Sequence, residues 1–107
     1  MPSFSVYTIN VEFEWDAVKA RHNFQKHGVT FERAITAFDD PYALIAPDHK
    51  HSTTEEIREW LIGESDNGVL VVVFTKRYGG RIYRIISARR GSRRERIRYE
   101  EFKRISL

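Results

Sequence analysis

The chain has 107 residues, a formal net charge of +3 and no cysteine. This length is typical of one domain, and the lack of cysteine excludes disulfides and thiolate metal sites. No apolar run reaches the roughly 18 residues of a transmembrane helix, and residues 1–10 lack the basic and apolar regions of a secretory signal. We expect a cytoplasmic protein with an N-terminal extension or edge strand at 1–10 and a single domain at 11–107.

The charges are distributed unevenly along the chain. Residues 1–75 carry 6 Lys or Arg and 12 Asp or Glu, whereas residues 76–107 carry 12 and 3. Apolar residues such as Ile82, Ile85 and Tyr99 interrupt the basic segment, which favours folded structure over a disordered tail. The segment therefore predicts a surface for a polyanion or an acidic partner, with a merely solvated face as the alternative.

The N-terminal part predicts a strand followed by two helices. Residues 11–15 alternate apolar and acidic side chains, as a half-buried strand does. Asp16 can cap a helix that runs to about His27, with Gly28 as its left-handed C-terminal residue. The expected inward face of this helix is Ala17, Ala20 and Phe24. Thr30 can cap a second helix that ends before Pro41, with an inward stripe of Phe31, Ala34, Ile35 and Phe38.

The C-terminal part predicts a sheet and one more helix. A short strand at 42–45 and a polar loop at 46–55 precede three strands at 58–64, 69–78 and 81–89. The turns between these strands contain Asn67-Gly68 and Gly79-Gly80, which suit hairpins. Ser92 and Glu95 form a capping box that opens a helix to about Arg104. The fold class is therefore α+β, with two N-terminal helices and a C-terminal helix on one face of a small antiparallel sheet of three to five strands.

Several motifs between residues 11 and 101 together resemble the BrnT family, the toxin half of a bacterial type II toxin–antitoxin pair. They are F-E-W-D at 13–16, Asn23, K-H-G-V at 26–29, F-D-D-P at 38–41, E-x-R at 56–58, R-I-I-S-A-R-R at 84–90 and R-R-E-R at 93–96. The resemblance implies a RelE-like fold and a metal-independent endoribonuclease that arrests translation. It also implies neutralisation by a cognate BrnA-like antitoxin, which would supply operator DNA binding, and it implies no cofactor.

Metal-independent RNA cleavage needs a proton acceptor, donors for the phosphate charge and a proton for the leaving oxygen. Arg89 and Arg90 lead directly into a helix N-terminus, so this junction is the predicted site of the scissile phosphate. Glu95 is first a capping residue and second a candidate base. Tyr99 can stack on a base, donate a phenolic proton or belong to the core. His27 is a candidate proton shuttle, although a histidine in a last helical turn also stabilises the helix dipole.

Other arginines are predicted to bind RNA, namely Arg58, Arg77, Arg81, Arg84, Arg93 and Arg94. Alternation along 81–90 places Arg81, Tyr83, Ile85, Ser87 and Arg89 on the open face of the strand. Arg84 would then lie beneath the helices, and the alternative to RNA binding is that it pairs with an acidic residue there. Asp48, His49 and His51 have the chemistry of metal ligands, but two histidines in a mobile loop are too few, and we expect no metal.

Two other classes of function also fit the basic segment. A nucleic-acid-binding module without turnover would show salt-dependent binding and no product. A protein that only binds a partner would use the same surface for an acidic or helical antitoxin.

Overall fold

The computed structural model describes residues 11–107 with their side chains and residues 3–8 as backbone. Within these ranges the elements are β1 Ser3–Thr8, β2 Val11–Asp16, α1 Ala17–His27, α2 Phe31–Thr36, β3 Leu44–Pro47, β4 Arg58–Ser65, β5 Gly68–Arg77, β6 Ile82–Arg90 and α3 Arg93–Ser106. Short 3-10 turns follow α2 and β3, at Ala37–Asp39 and His49–His51. Within the predicted extension, β1 pairs with β2, while residues 1, 2, 9 and 10 lie outside the described part.

The described strands form one mixed sheet in the order β1-β2-β6-β5-β4-β3. The predicted meander of β4, β5 and β6 is confirmed, and its turns contain Gly68, Gly79 and Gly80 at positive φ. The expectation of three to five strands, all antiparallel, is wrong, because β2 runs parallel to β6 and β1 adds a sixth strand. The alternation in β2 identifies a half-buried strand but carries no information about its direction.

Helices α1 and α2 pack on one side of the sheet, which we call the core face. The Asp16 carboxylate accepts a hydrogen bond from the Val18 amide at 2.8 Å, and Gly28 ends α1 at φ 71°, as predicted. Thr30 caps α2 through the Arg33 amide. The buried side chains of this face include Phe13, Trp15, Phe31, Ala34, Leu61, Leu70, Val72, Phe74, Ile85 and Ala88.

Asn23 joins α1 to the edge of β6. Its amide donates to the carbonyl of Ala88 at 2.8 Å and its side-chain oxygen accepts from the Ala88 amide at 3.0 Å. The side chain thus hydrogen-bonds both backbone groups of Ala88, beyond the β2–β6 pairing that ends at Arg84. Phe24, predicted to point inward, is instead 52% exposed, because the inward position belongs to Asn23.

Helix α3 packs on the other side of the sheet, which we call the pocket face. Tyr99 is fully buried there and belongs to a cluster with Ile62, Val69 and Val71. Its hydroxyl donates to the Asp40 carboxylate, which also accepts from the Glu64 amide at 2.7 Å. The prediction that all helices lie on one face is therefore wrong. The apolar side chains of β4 and β5 occupy both faces, so each face needs a cover.

A β-bulge in β6 changes which side chains reach each face. Val73 pairs with Ser87 and Phe74 with Ile85, so Ile86 has no partner in the register. Before the bulge Tyr83 and Ile85 contact the core face, whereas beyond it Ser87 and Arg89 line the pocket face. The predicted outward orientation is therefore wrong for Tyr83 and Ile85, because simple alternation breaks at one inserted residue.

Candidate active site

A pocket of about 600 Å³ opens on the pocket face between the sheet, α3 and the loop that precedes β4. Its apolar floor is formed by Trp60, Ile62, Val71 and Val73. Its polar lining consists of Asp48, His51, Arg58, Ser87, Arg89, Arg94, Glu95 and Arg98. Four arginines face two carboxylates, so the pocket favours an anionic ligand, and its aromatic floor offers a surface on which a base can stack.

Arg89 is held in a two-pronged ion pair with Glu95. Its two terminal nitrogens lie 2.8 and 2.9 Å from the two carboxylate oxygens. The Glu95 carboxylate also accepts from the Ser92 amide at 2.7 Å, and the Ser92 hydroxyl accepts from the Glu95 amide, which completes the predicted capping box. The hydrogen bond from Arg89 lowers the pKa of Glu95 to about 2, with further lowering by Ser92. Glu95 is therefore a positioning group for the guanidinium and a poor proton acceptor near neutral pH.

Asp48 and His51 form a second pair in the pocket wall. The Nδ1 atom of His51 lies 3.0 and 3.1 Å from the two carboxylate oxygens of Asp48. The Asp48 side chain is 15% exposed, whereas the His51 side chain is 58% exposed. A partly buried carboxylate thus holds an imidazole at the solvent-accessible surface of the pocket.

The remaining pocket arginines differ in their restraints. The Nε atom of Arg58 donates to Glu56 at 2.8 Å, which fixes its orientation at the start of β4. Arg94 and Arg98 are one helical turn apart on α3 and form no ion pair with another described residue. Their charges therefore remain available to a ligand.

A comparison with protein families matches residues 15–95 to the model described as ribonuclease toxin, BrnT, of type II toxin–antitoxin system. The chain belongs to the BrnT family. The matched range contains both pairs of the pocket, Arg89 with Glu95 and Asp48 with His51, and ends before Arg98. A comparison with curated proteins finds no match.

The pocket of this BrnT-family domain contains four of the residues predicted to act on RNA, which are Arg58, Arg89, Arg94 and Glu95. Arg90 follows Arg89 on the strand and therefore points to the opposite side, where its Nη1 atom donates to the carbonyl of Asn67 at 3.1 Å. Arg93 precedes Arg94 on the helix and lines a separate groove on the outer side of α3, with Arg96 and Arg104. Of the adjacent arginines at 89 and 90, and of those at 93 and 94, only Arg89 and Arg94 line the pocket.

The other two candidates for catalysis lie outside this pocket in the described part of the chain. His27 is in the last turn of α1, next to the left-handed Gly28. Tyr99 is 0% exposed and its hydroxyl is engaged by Asp40. Burial raises the pKa of Tyr99 above its ordinary value, as does the hydrogen bond to Asp40. Tyr99 is a residue of the core in this structure, so the suggested stacking on a base is ruled out by burial.

The three remaining predicted RNA contacts lie on or near the hairpin of β5 and β6. Arg77 lies 3.8 Å from Glu56, and the Nε atom of Arg81 donates to the carbonyl of Tyr78 at 3.3 Å. Arg84 pairs with Glu14 at 3.1 Å. The acidic partner considered for Arg84 is thus present, but it lies on the neighbouring strand β2 and not beneath a helix.

Four polar residues of the pocket were not among the predicted functional residues, namely Asp48, His51, Ser87 and Arg98. Asp48 and His51 had been considered only as metal ligands, and in the described residues no three His, Asp or Glu side chains converge as a metal site. A carboxylate three residues before a histidine also suits an ion pair within one turn. For Arg98, the helical repeat places it with Arg94 and Glu95 on one side of α3.

No helix in the described part of the chain has the length and apolar character to cross a membrane.

Proposed function

We propose that this BrnT-family domain is an endoribonuclease that cleaves RNA without a metal ion, in the pocket lined by Arg89. The observation that carries the proposal is the convergence of Arg58, Arg89, Arg94 and Arg98 around an apolar floor that contains Trp60. Guanidinium groups remain charged and bind two phosphate oxygens at once, which suits a phosphate that gains charge during cleavage. Trp60 offers an aromatic surface for a neighbouring base.

The chain's own residues supply the groups that this reaction needs. Arg89 is oriented by Glu95, so the cation is preorganised before the substrate binds. Arg94 and Arg98 contribute further positive charge from the same side of α3. Apart from proton transfer, catalysis then consists of holding the phosphate and stabilising its developing charge.

The proposed activity also has a role in the cell. Cleavage of RNA in the cytoplasm arrests translation, and a cognate BrnA-like antitoxin neutralises the toxin by covering the basic pocket. Operator DNA is bound only by the complex, through the antitoxin. A RelE-like arrangement, with a sheet whose basic face binds RNA, accompanies this function. The other predicted RNA contacts would bind nucleotides that flank the cleavage site. These are Arg77, Arg81 and Arg84, each of which already has a partner in the chain.

The proposal is tested with purified protein, a labelled single-stranded RNA and EDTA, with products resolved by size. We expect specific fragments from the wild type, a loss of about 10- to 100-fold in rate for Arg94→Ala, and little change for Arg93→Ala. The two variants remove the same charge from adjacent positions, so a general electrostatic effect would reduce both rates equally. Salt-dependent RNA binding without any fragments would contradict the proposal and indicate a binding module.

A further inference from the structure

We propose that His51 is the general base of the reaction and that Asp48 is its positioning residue, an assignment that rests on the proposed ribonuclease function. The Asp48–His51 pair lies within the pocket that also contains Arg89. No other histidine of the described residues lines this pocket.

The contact with Asp48 fixes which nitrogen of His51 can accept a proton. A carboxylate only accepts hydrogen bonds, so Nδ1 of His51 carries the hydrogen that it donates. In the neutral ring the lone pair then lies on Nε2. Within the described residues Nε2 has no hydrogen-bond partner. Asp48 therefore orients the ring, and its negative charge stabilises the imidazolium that forms when Nε2 accepts a proton.

The loop that carries the pair is tied to the start of β4. The Asp48 amide donates to the carbonyl of Arg58 at 2.8 Å, and the Ser52 hydroxyl donates to the carbonyl of Asp48 at 2.7 Å. The same hydroxyl accepts from the Arg58 amide at 2.8 Å. The sequence predicted a mobile loop here, but these bonds close the segment into a turn. They thereby position His51 relative to the arginines of the sheet.

The other acidic group in the pocket is a weaker candidate for this role. Glu95 accepts two hydrogen bonds from Arg89 and one from the Ser92 amide, and its pKa of about 2 leaves it little affinity for a proton. Ionisable groups from three elements share the pocket with the imidazole, since Arg58 belongs to β4, Arg89 to β6, and Arg94, Glu95 and Arg98 to α3. The arginine cations can bind the negatively charged phosphate of RNA, and the imidazole can accept the proton of a ribose 2′-hydroxyl.

In the proposed step Nε2 of His51 takes the proton of a ribose 2′-hydroxyl. The 2′-oxygen attacks the adjacent phosphorus, so the O2′–P bond forms and the P–O5′ bond breaks. The leaving 5′-oxygen takes a proton from water, and His51 later returns its proton to water. The products are a 2′,3′-cyclic phosphate and a 5′-hydroxyl, with no oxidant, reductant or metal required.

The test compares His51→Ala with His49→Ala, a histidine in the same 3-10 turn that does not line the pocket. Cleavage of a labelled RNA is measured at saturating protein, and binding is measured with a 2′-O-methyl copy that lacks the nucleophile. We expect His51→Ala to reduce the cleavage rate by about 100- to 10,000-fold with little change in binding. We expect His49→Ala to behave as wild type.

Two further measurements separate proton transfer from a structural role. Added imidazole should restore part of the activity of His51→Ala, and it should have no effect on Arg89→Ala. Asp48→Asn should show an intermediate rate, because the amide can donate to Nδ1 and so favour the wrong tautomer. A thermal melt of each variant shows whether the fold is retained.

These outcomes distinguish a failure of the His51 assignment from a failure of the proposed ribonuclease function. Wild-type cleavage by His51→Ala, or a loss that appears equally in binding and is not rescued by imidazole, overturns the assignment of His51 and leaves the ribonuclease intact. Failure of the wild type to cleave RNA overturns the proposed function, and the general base with it.

Discussion

The core face and the pocket face share strands β4, β5 and β6 but differ in what covers them. On the core face, α1 and α2 bury a cluster of aromatic rings, with centroids 4.8 Å apart for Phe13 and Phe38 and 5.1 Å for Phe38 and Phe74. On the pocket face, α3 buries Tyr99 against Ile62 and Val71, while the rest of the face opens into the pocket. One sheet thus supplies a core on one side and a charged site on the other.

The larger apolar core and the charged pocket therefore lie on opposite sides of the same strands. Adjacent residues of a strand point to opposite faces, so neighbours such as Ala88 and Arg89 have unrelated roles. Substitutions on the core face should therefore change the free energy of unfolding. Substitutions in the pocket should change the rate of RNA cleavage.

The largest effect on stability is expected for Phe74→Ala on the core face. Phe74 is fully buried and contacts the rings of Phe38 and Tyr83, so its truncation leaves a cavity. We expect a loss of about 3–5 kcal/mol in the free energy of unfolding, measured by urea denaturation. A loss below about 1 kcal/mol would show that this face is not the main core.

Gly63→Ala should have the next largest effect, because α2 and its 3-10 turn lie very close to β4. An added Cβ would lie 2.9 Å from the carbonyl oxygen of Ala37 and 3.1 Å from Cβ of Ala43. We expect a loss of about 1–3 kcal/mol by chemical denaturation. Gly91→Ala is the control, since its Cβ would meet its nearest neighbours at 3.4 Å, and it should cost less.

Tyr99→Phe tests whether Tyr99 has a structural role in the buried cluster on the pocket face. The change removes one hydrogen bond to a carboxylate that still accepts from the amides of Tyr42 and Glu64. We expect a loss of about 1–2 kcal/mol in stability and no change in the cleavage rate. A large fall in rate with unchanged stability would instead restore the catalytic role suggested by the sequence.

The smallest expected effect is the contribution of Glu95 to the pH dependence of the free energy of unfolding. Its ordinary pKa is 4.5, and the hydrogen bond from Arg89 lowers the pKa to about 2 in the folded state. The unfolded chain therefore binds the proton first as the pH falls, so stability is complete above about pH 4.5 and declines toward pH 2. We expect Glu95 to contribute about 1 kcal/mol after solvent screening.

Asp40 acts in the same direction as Glu95. Burial by itself raises its pKa, but hydrogen bonds from Tyr99 and from the amides of Glu64 and Tyr42 outweigh that effect, so the pKa is lowered overall. Urea denaturation at pH 6 and pH 3 measures the combined loss. Glu95→Gln should reduce the difference between the two pH values, and an unchanged difference would contradict the account of Glu95.

Local chemistry made much of this fold predictable from the sequence. The Asp16, Thr30 and Ser92 caps each depend on residues within three positions, so the starts of the helices could be placed. The parallel pairing of β2 and the bulge at Ile86 depend on contacts distant in sequence, which alternation does not encode.

The candidate site was predictable only in part for the same reason. Arg89 and Glu95 are six residues apart and their pairing follows from the strand-to-helix turn, whereas His51 reaches the pocket through the folding of the sheet. The bulge also decides that Arg89, and not Tyr83 or Ile85, shares the pocket face with Ser87.

The most direct test of the division between the two faces compares Arg89→Ala with Arg90→Ala in the cleavage of labelled RNA in EDTA. The two variants remove the same charge from adjacent positions on opposite sides of β6. We predict a fall of about 100- to 1,000-fold in rate for Arg89→Ala and a rate close to wild type for Arg90→Ala, with both variants folded. Equal losses in both variants, or a greater loss in Arg90→Ala, would contradict the assignment of RNA cleavage to the pocket face.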